Sequence, residues 1–272
     1  MISLSGMGLA APFGGLKELR AALDTDAPSA PDHKYRVDTT SLTEFVPARR
    51  LRRVDHFTSM TLLAAYRALY DAGYGETLPE RMGIVLCTGY GPSETTFDFL
   101  DSIIDFGAGC ASPLAFSHSV HNIPAAMLAM FLKTPCPCTT LCQLHRPVFT
   151  GLLTAQTWLS EERVDTVLLG AVDETTPLLE HTSNQLGRNP VGEGAAFFVL
   201  QRQEERTGRT IRLAPAEAPK GLAARGVLQP EVLCGDMPVG AAFALAAAAV
   251  RVEAGIAAEC MEHGALIRVE QA

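Results

Sequence analysis

One segment of the chain sets its architecture: Pro135–Asp173, with the sequence PCPCTTLCQLHRPVFTGLLTAQTWLSEERVDTVLLGAVD. Its pattern predicts a short Thr/Cys-rich strand, a turn before Pro147, a helix through Trp158 and an apolar strand over Thr166–Val172. Such a unit presents a side chain at the mouth of a helix, where unpaired backbone N–H groups stabilise an anion. Any covalent chemistry of this protein is predicted here.

Working outward, apolar runs predict further strands at Met82–Cys87, Ala195–Gln201 and Ala265–Val269, with a strand near Val232. Apolar periodicity predicts helices over Phe57–Leu69, buried on more than one side, and over Val239–Val252. Strands that alternate with helices predict an α/β fold with a mainly parallel sheet covered on both faces.

Two segments punctuate the second half of the chain. The charged residues from Gln203 to Leu213 predict a turn followed by an edge strand. Ala214–Pro230 is rich in Pro, Ala and Gly and is the clearest boundary in the sequence.

Composition indicates a globular protein. The 272 residues are 47% hydrophobic, with a mean hydropathy of +0.15, a net charge of −8 and a pI near 5.4. This balance gives no reason to expect nucleic acid or an anionic membrane as a partner. The start of the chain lacks the pattern of a signal peptide, and Val239–Val250 is too short to span a membrane. Seven scattered cysteines favour reduced thiols, and we expect a cytoplasmic protein.

Several segments, in this order, resemble the β-ketoacyl synthase family of the thiolase fold. The segments are LSGMGLAAP (4–12), RRVDHF (52–57), AAYRALYDAG (64–73), GIVLCTGYG (83–91), SPLAFSHSVHN (112–122) and GEGAAFFVL (192–200). SPLAFSHSVHN is similar to the version found in a divergent ketosynthase-like branch. The last quarter resembles the family in fragments, chiefly CGDMPVGAAFALAAAAV (234–250).

The resemblance implies a thiolase-like layered α/β/α/β/α fold with a truncated C-terminal half. Residues 1–202 correspond to the family's N-terminal half, and residues 203–272 are expected to complete the fold as a shortened second half. No segment matches the family's His-Gly-Thr-Gly-Thr loop. The truncation therefore removes part of the family's catalytic equipment.

The family's nucleophilic cysteine can be matched in two registers. Aligning the family's Thr-Ala-Cys with Thr140-Leu141-Cys142 makes Cys142 the nucleophile. Counting back without gaps from the strand that ends at Asp173 instead places His145, or a neighbour, at that position. A helix that starts near Pro147 favours the second register.

The other catalytic positions of the family are also altered. The resemblance places Gly235-Asp236 where the family has Gly-His. An ionised carboxylate cannot donate a hydrogen bond to a developing enolate, so Asp236 would oppose that charge. We therefore do not expect decarboxylative condensation by this chain alone.

Four residues of the segment 112–122 are candidates for substrate binding: Phe116, His118, His121 and Asn122. The resemblance places them at a dimer interface, where they could limit how far an acyl chain extends in a partner's tunnel. His118 and His121 are three residues apart and could face the same way on a helical turn, but satisfied polar side chains in a loop near a subunit interface are the better explanation.

Two further clusters have simple structural explanations. Cys136, Cys138, Cys142 and His145 do not have the spacing of paired zinc ligands, so no metal is predicted. The basic run Arg49–Arg53 could meet an acidic carrier protein or lie on a solvated face. No cofactor is predicted.

Three hypotheses about function remain, of which the weakest is a homodimer that holds a small acyl ligand and has no partner. The first is a degenerate ketosynthase-like subunit of the chain-length-factor type, acting in fatty-acid, polyketide or aryl polyene synthesis as a homo- or heterodimer with an active ketosynthase and an acyl carrier protein. The second is an acyltransferase or thioesterase that uses Cys142 as nucleophile with His145 or His121 as base.

Overall fold

The computed structural model describes residues 2–24, 35–75, 77–202, 209–214 and 234–271. Within these ranges eight strands form one sheet, in the order β3-β2-β4-β5-β1-β6-β8-β7. The strands are β1 (Ile2–Ala10), β2 (Met82–Thr88), β3 (Cys138–Cys142), β4 (Thr166–Asp173), β5 (Gly194–Arg202), β6 (Arg209–Ala214), β7 (Ala258–Glu262) and β8 (Ala265–Gln271). The α-helices are α1 (Leu16–Leu23), α2 (Ala48–Leu51), α3 (His56–Asp71), α4 (Ser93–Phe106), α5 (Pro113–His118), α6 (Ile123–Leu132), α7 (Pro147–Ser160), α8 (Pro177–Gln185) and α9 (Gly240–Glu253).

The unit β3–α7–β4 is the strand, helix and strand predicted from the sequence. Both strands run parallel to β2, which lies between them. Helix α7 packs closely on β2 because Gly151 has no side chain; a Cβ there would lie 2.4 Å from Sγ of Cys87. Every residue of β4 is buried, because its odd and even positions enter the cores on opposite faces of the sheet.

The sheet is mixed, so the prediction of a mainly parallel sheet is wrong. Only the pairs β2–β3 and β2–β4 are parallel in the described residues. Strand β5 runs back beside β4, and β1 runs antiparallel to β5. An alternation of strands and helices does not reveal such returns, because strand direction depends on the path of the connections.

The sheet curls over itself around α7. Glu262, at the end of β7, accepts hydrogen bonds from the backbone N–H groups of Val148 (3.1 Å) and Phe149 (2.6 Å) at the start of α7, which packs on β2 and β4. Six strand positions separate β2 from β7, which in a flat sheet would be about 29 Å at about 4.8 Å per strand. The contact therefore requires β6, β8 and β7 to fold back over the helix.

The result is a layered molecule. Helices α3 and α6 cover one face of β3-β2-β4-β5-β1, and α7 and α9 lie between the other face and the strands β6-β8-β7. Helix α3 is buried around most of its circumference, as predicted. The predicted layered thiolase-like fold with a shortened second half is confirmed.

The second half departs from the prediction in one strand. Helix α9 and strand β8 are present where the sequence placed them. Strand β6 is not an edge strand, because it pairs with β1 on one side and β8 on the other. The strand expected near Val232 lies outside the described residues. Within those residues, no helix combines the length and the apolar character needed to cross a membrane.

Candidate functional site

Three adjacent parallel strands end at the same edge of the sheet, where ligands of α/β proteins usually bind. The last residues of β2, β3 and β4 are Thr88, Cys142 and Asp173. Thr88 pairs with Cys142 in the ladder, and the Thr88 hydroxyl donates to Asp173 at 2.8 Å. The residues of the predicted nucleophile turn thus lie beside the loop that follows β2.

Asp173 is buried and holds that loop in place through hydrogen bonds. Its carboxylate accepts hydrogen bonds from the backbone N–H groups of Gly89 (2.9 Å) and Tyr90 (2.8 Å) in addition to the Thr88 hydroxyl. Burial raises the pKa of Asp173 to about 6, and the N–H bond from Tyr90 is the largest opposing influence. A carboxylate with this many fixed donors holds backbone in place and has little freedom to act as a base.

Cys142 lies at the end of β3 and not at the mouth of a helix. Its thiol donates to the carbonyl oxygen of Gly89 at 3.7 Å. Burial of the sulfur, followed by the negative charge of Asp173, raises the pKa of Cys142. The thiol is therefore held in the protonated form, which is the weaker nucleophile.

The turn between β3 and α7 ends at Arg146. Arg146 has φ = +58° and is the N-cap of α7, with Pro147 as the first helical residue. Its guanidinium donates to the carbonyl oxygen of His263 at 2.8 Å, and the His145 and His263 rings are 5.2 Å apart. The residue at the helix mouth is therefore Arg146, a neighbour of His145, and Cys142 lies four residues earlier.

The anion position at the helix mouth is filled by the protein itself. The carboxylate of Glu262 bonds the N–H groups of Val148 and Phe149, and Glu262 is only 3% exposed. Burial raises the pKa of Glu262, while the Phe149 and Val148 N–H bonds oppose the shift. A thiolate or oxyanion placed there would compete with a resident carboxylate for the same donors.

Asp236 reaches the same region through a short backbone bridge. Its N–H donates to the carbonyl oxygen of Pro190 at 2.8 Å, and its own carbonyl accepts from Gly192 at 3.0 Å. The Asp236 side chain is exposed. The pKa of Tyr90 is raised by burial and then by the charges of Asp173 and Asp236, which puts Asp236 within electrostatic reach of the loop after β2.

The four candidates in the segment 112–122 point to different neighbours. His118 Nδ1 lies 2.7 Å from Asp55 Oδ2, and Asp55 also caps α3. The His121 ring covers Gly91, whose φ of +67° and lack of a side chain permit the contact. Asn122 is the exposed N-cap of α6, without a side-chain cap bond. The two histidines therefore do not converge on one group.

Phe116 belongs to an exposed apolar surface carried by α4 and α5. Its ring is 57% exposed and lies 5.3 Å from the Phe99 ring. Ile104 and Phe106 are 78% and 72% exposed. We call this surface the α4–α5 apolar face; its exposed members are Phe97, Leu100, Ile104, Phe106, Leu114 and Phe116.

Sequence reasoning missed two other buried carboxylates after β4 and before β5. Glu193 is fully buried and accepts bonds from His56 Nε2 (2.7 Å) and the Val37 N–H (2.8 Å). Glu174 accepts from the Glu94 N–H at 2.9 Å, and burial raises its pKa to about 8. Both residues directly adjoin a buried strand, but that position alone was not a sufficient signal, because Asp165 also adjoins β4 and is exposed.

Cys136 and Cys138 are neighbours, with their sulfur atoms 3.7 Å apart. Among the described residues, no set of three or more His, Cys, Asp and Glu side chains is arranged to hold a metal ion.

Comparison with known proteins gives a family for most of the chain. The model of the β-ketoacyl synthase N-terminal domain matches residues 26–223. No curated protein sequence matches the chain.

Three solved structures are similar over nearly the whole chain. "The ishigamide ketosynthase/chain length factor" is 18% identical with a TM-score of 0.77, and the alignment covers 98% of both chains. A ketosynthase (ApeO) in complex with its chain length factor (ApeC) from Xenorhabdus doucetiae is 15% identical with a TM-score of 0.70, covering 99% of this chain and 98% of that one. A type II polyketide synthase acyl carrier protein in complex with its ketosynthase (AntDE:AntF) is 15% identical with a TM-score of 0.70, and the alignment covers 98% of this chain and 97% of that one. The matched chains are therefore about as long as this one and share its fold.

Proposed function

The chain belongs to the β-ketoacyl synthase family through its N-terminal domain, and from that premise we propose that it is a catalytically degenerate subunit of the chain-length-factor type, which pairs with an active ketosynthase. The observation that carries the proposal is the Glu262 carboxylate on the N-terminus of α7. A condensing enzyme needs that helix end for its nucleophile and for developing negative charge. Here the donors are already satisfied.

The thiol chemistry supports the same proposal. Cys142 lies four residues before the helix mouth, and burial raises the pKa of its thiol. Asp236 presents a carboxylate where the family has a hydrogen-bond donor. The alternative of an acyltransferase or thioesterase requires a Cys142 thiolate with a base in contact, and the contact of the Cys142 sulfur is the carbonyl oxygen of Gly89.

A partner subunit is supported by the outer surface at one end of the sheet. Among the strands that the structure describes, β3 is the last on that side, and one of its edges has no neighbouring strand among them. The α4–α5 apolar face adds several large exposed side chains, more than a monomer usually presents together. Two of the similar solved structures are of a ketosynthase together with a chain length factor.

This subunit would contribute to the shape of the cavity in which the partner extends an acyl chain. Phe116, His118, His121 and Asn122 lie on or beside the α4–α5 apolar face and would limit the length of an acyl chain in the partner's tunnel. We propose a polyketide-type product, with fatty-acid-like synthesis as the alternative. The run Arg49–Arg53 would meet the acidic carrier protein. All four of its arginines are exposed, and Arg50 also stacks over the Phe131 ring at 4.5 Å.

The test combines two measurements on the purified chain. Intact-mass spectrometry after incubation with short-chain and medium-chain acyl thioesters should show no acyl adduct that depends on Cys142. In a reconstituted system with a full-length ketosynthase and a carrier protein, Cys142→Ala should leave the product yield and length unchanged. An adduct mapped to Cys142 and lost in Cys142→Ser would overturn the proposal in favour of the acyl-transfer alternative.

A further inference from the structure

Two cysteines flank Pro137 at the entry of the outermost strand. Cys138 is exposed and Cys136 is half-buried, and their sulfur atoms are 3.7 Å apart, within reach of a thiol–thiol hydrogen bond. In the sheet, Cys138 pairs with Ile84, and the Ile84 N–H bonds the Pro137 carbonyl at 2.9 Å. The backbone between the two thiols is thus held by β2.

The geometry allows a direct bond between these sulfurs. The two sulfur atoms are 3.7 Å apart, and bringing them to the disulfide bond length of about 2.05 Å requires a movement of about 1.7 Å. Cys142 is four residues beyond Cys138, about 13 Å along the strand, which is too far for a disulfide without unpairing β3.

We propose that Cys136 and Cys138 form a reversible intrachain disulfide by exchange with low-molecular-weight disulfides such as oxidised glutathione. This site uses none of the residues assigned above to the helix mouth, and it does not depend on the proposed function.

The exchange proceeds in two balanced steps. The Cys138 thiolate attacks one sulfur of glutathione disulfide, a mixed disulfide forms, and one glutathione thiolate leaves. The Cys136 thiolate then attacks the Cys138 sulfur of the mixed disulfide and expels the second glutathione thiolate. The two protons lost by the cysteines are taken up by the two glutathione thiolates, so the protein dithiol is oxidised and one glutathione disulfide is reduced.

The order of attack follows from the shared hydrogen bond. The thiol of Cys136 stabilises a neighbouring thiolate, which lowers the pKa of Cys138 to about 7 and raises that of Cys136. Because the thiolate is the attacking species, Cys138 reacts first.

The experiment equilibrates the reduced chain in glutathione buffers of graded potential, followed by acid trapping, alkylation and tryptic mapping. Trypsin cleaves after Lys133 but not between Arg146 and Pro147, so the peptide 134–163 contains Cys136, Cys138 and Cys142. Fragment ions between Cys138 and Cys142 identify the bonded pair. The native chain and the control Cys142→Ser should both form the Cys136–Cys138 bond.

Variants that lack Cys136 or Cys138 should not form the intrachain bond. Cys136→Ser and Cys138→Ser should both stop at a mixed disulfide with glutathione. Cys138→Ser should form it roughly fivefold more slowly than the native chain does near neutral pH, because the larger thiolate fraction of Cys138 in the native chain outweighs the lower nucleophilicity of an acidic thiol. The proposal is overturned if the native chain gives no intrachain bond in the most oxidising buffer, or if the bond includes Cys142.

Discussion

The carboxylate of Glu262 connects two residues of α7 to a strand more than one hundred positions away in the sequence. Its side chain points inward from β7, where Ala258 and Cys260 are also buried. Two backbone N–H groups of the first turn of α7 depend on it, and such donors are expensive to bury without a partner. The same contact that denies the helix mouth to a nucleophile should therefore stabilise the fold.

We expect Glu262→Ala to lower the free energy of unfolding by about 2–4 kcal/mol, since two buried donors lose their acceptor. Glu259→Ala is the matched control on the same strand: Glu259 points outward to Arg268 at 2.5 Å, and a partly exposed ion pair is worth about 1 kcal/mol or less. Chemical denaturation followed by circular dichroism measures both. Equal losses in the two variants would mean that the Glu262 contact is not a stabilising cap.

The buried carboxyl group of Glu174 leads to a second prediction, on how the stability of the fold depends on pH. Burial is the largest cause of its raised pKa, about 8 against the ordinary 4.5, so the folded chain holds the proton more tightly than the unfolded chain. The free energy of unfolding should therefore fall as pH rises from 4.5 through about 8. Glu174→Gln keeps a neutral acceptor for the Glu94 N–H. Between about pH 5 and pH 9, its free energy of unfolding should therefore rise relative to that of the native chain by on the order of 3 kcal/mol.

Denaturation midpoints across that pH range test this prediction. The exposed position Glu161→Gln is the control and should reproduce the native pH dependence. A Glu174→Gln variant whose stability declines with pH as steeply as the native chain would show that another group is responsible.

At the scale of elements, the sequence predicted the helices and strands whose formation depends on residues near one another in the chain. Pro147 marks the start of α7, and the apolar run from Thr166 gives β4, because a proline and a continuous apolar strand act through their own neighbours. The position of β6 between β1 and β8 could not be predicted, since pairing depends on residues distant in the chain. The capping role of Glu262 escaped prediction for the same reason: the curl of the sheet alone brings it to α7.

The α4–α5 apolar face gives a prediction about assembly. Phe116→Asp places a charge in the middle of an apolar contact surface and should abolish co-purification with the partner ketosynthase, because a desolvated unpaired carboxylate is costly. Ile256→Asp is the control, since Ile256 is exposed to a similar extent (54% against 57%) in the connection between α9 and β7. Size-exclusion chromatography of co-expressed subunits measures the complex. If both variants remain bound, the partner does not use this face.

At the scale of the whole molecule, the two halves share one core. Residues of β2, α7 and β4 belong to the same apolar cluster as residues of α9, β7 and β8. The division of the chain into 1–202 and 203–272 stays a prediction about ancestry and sequence. Physically, α7 lies between strands from both sides of that boundary, and neither set of strands covers it alone.

The shared core predicts a single unfolding transition. Trp158, the only tryptophan, is on α7 and reports on residues before position 202. Ile267→Ala removes a fully buried side chain from β8 and should cost about 2–4 kcal/mol. If the halves fold as one unit, the midpoint seen by Trp158 fluorescence must fall with that seen by circular dichroism, although the mutation lies in the other half. Leu178→Ala, at a half-exposed position on α8, should move neither probe by more than about 0.5 kcal/mol. A Trp158 transition left unchanged by Ile267→Ala would mean that residues 1–202 fold independently, and the shortened second half would then be an appendage to a complete domain.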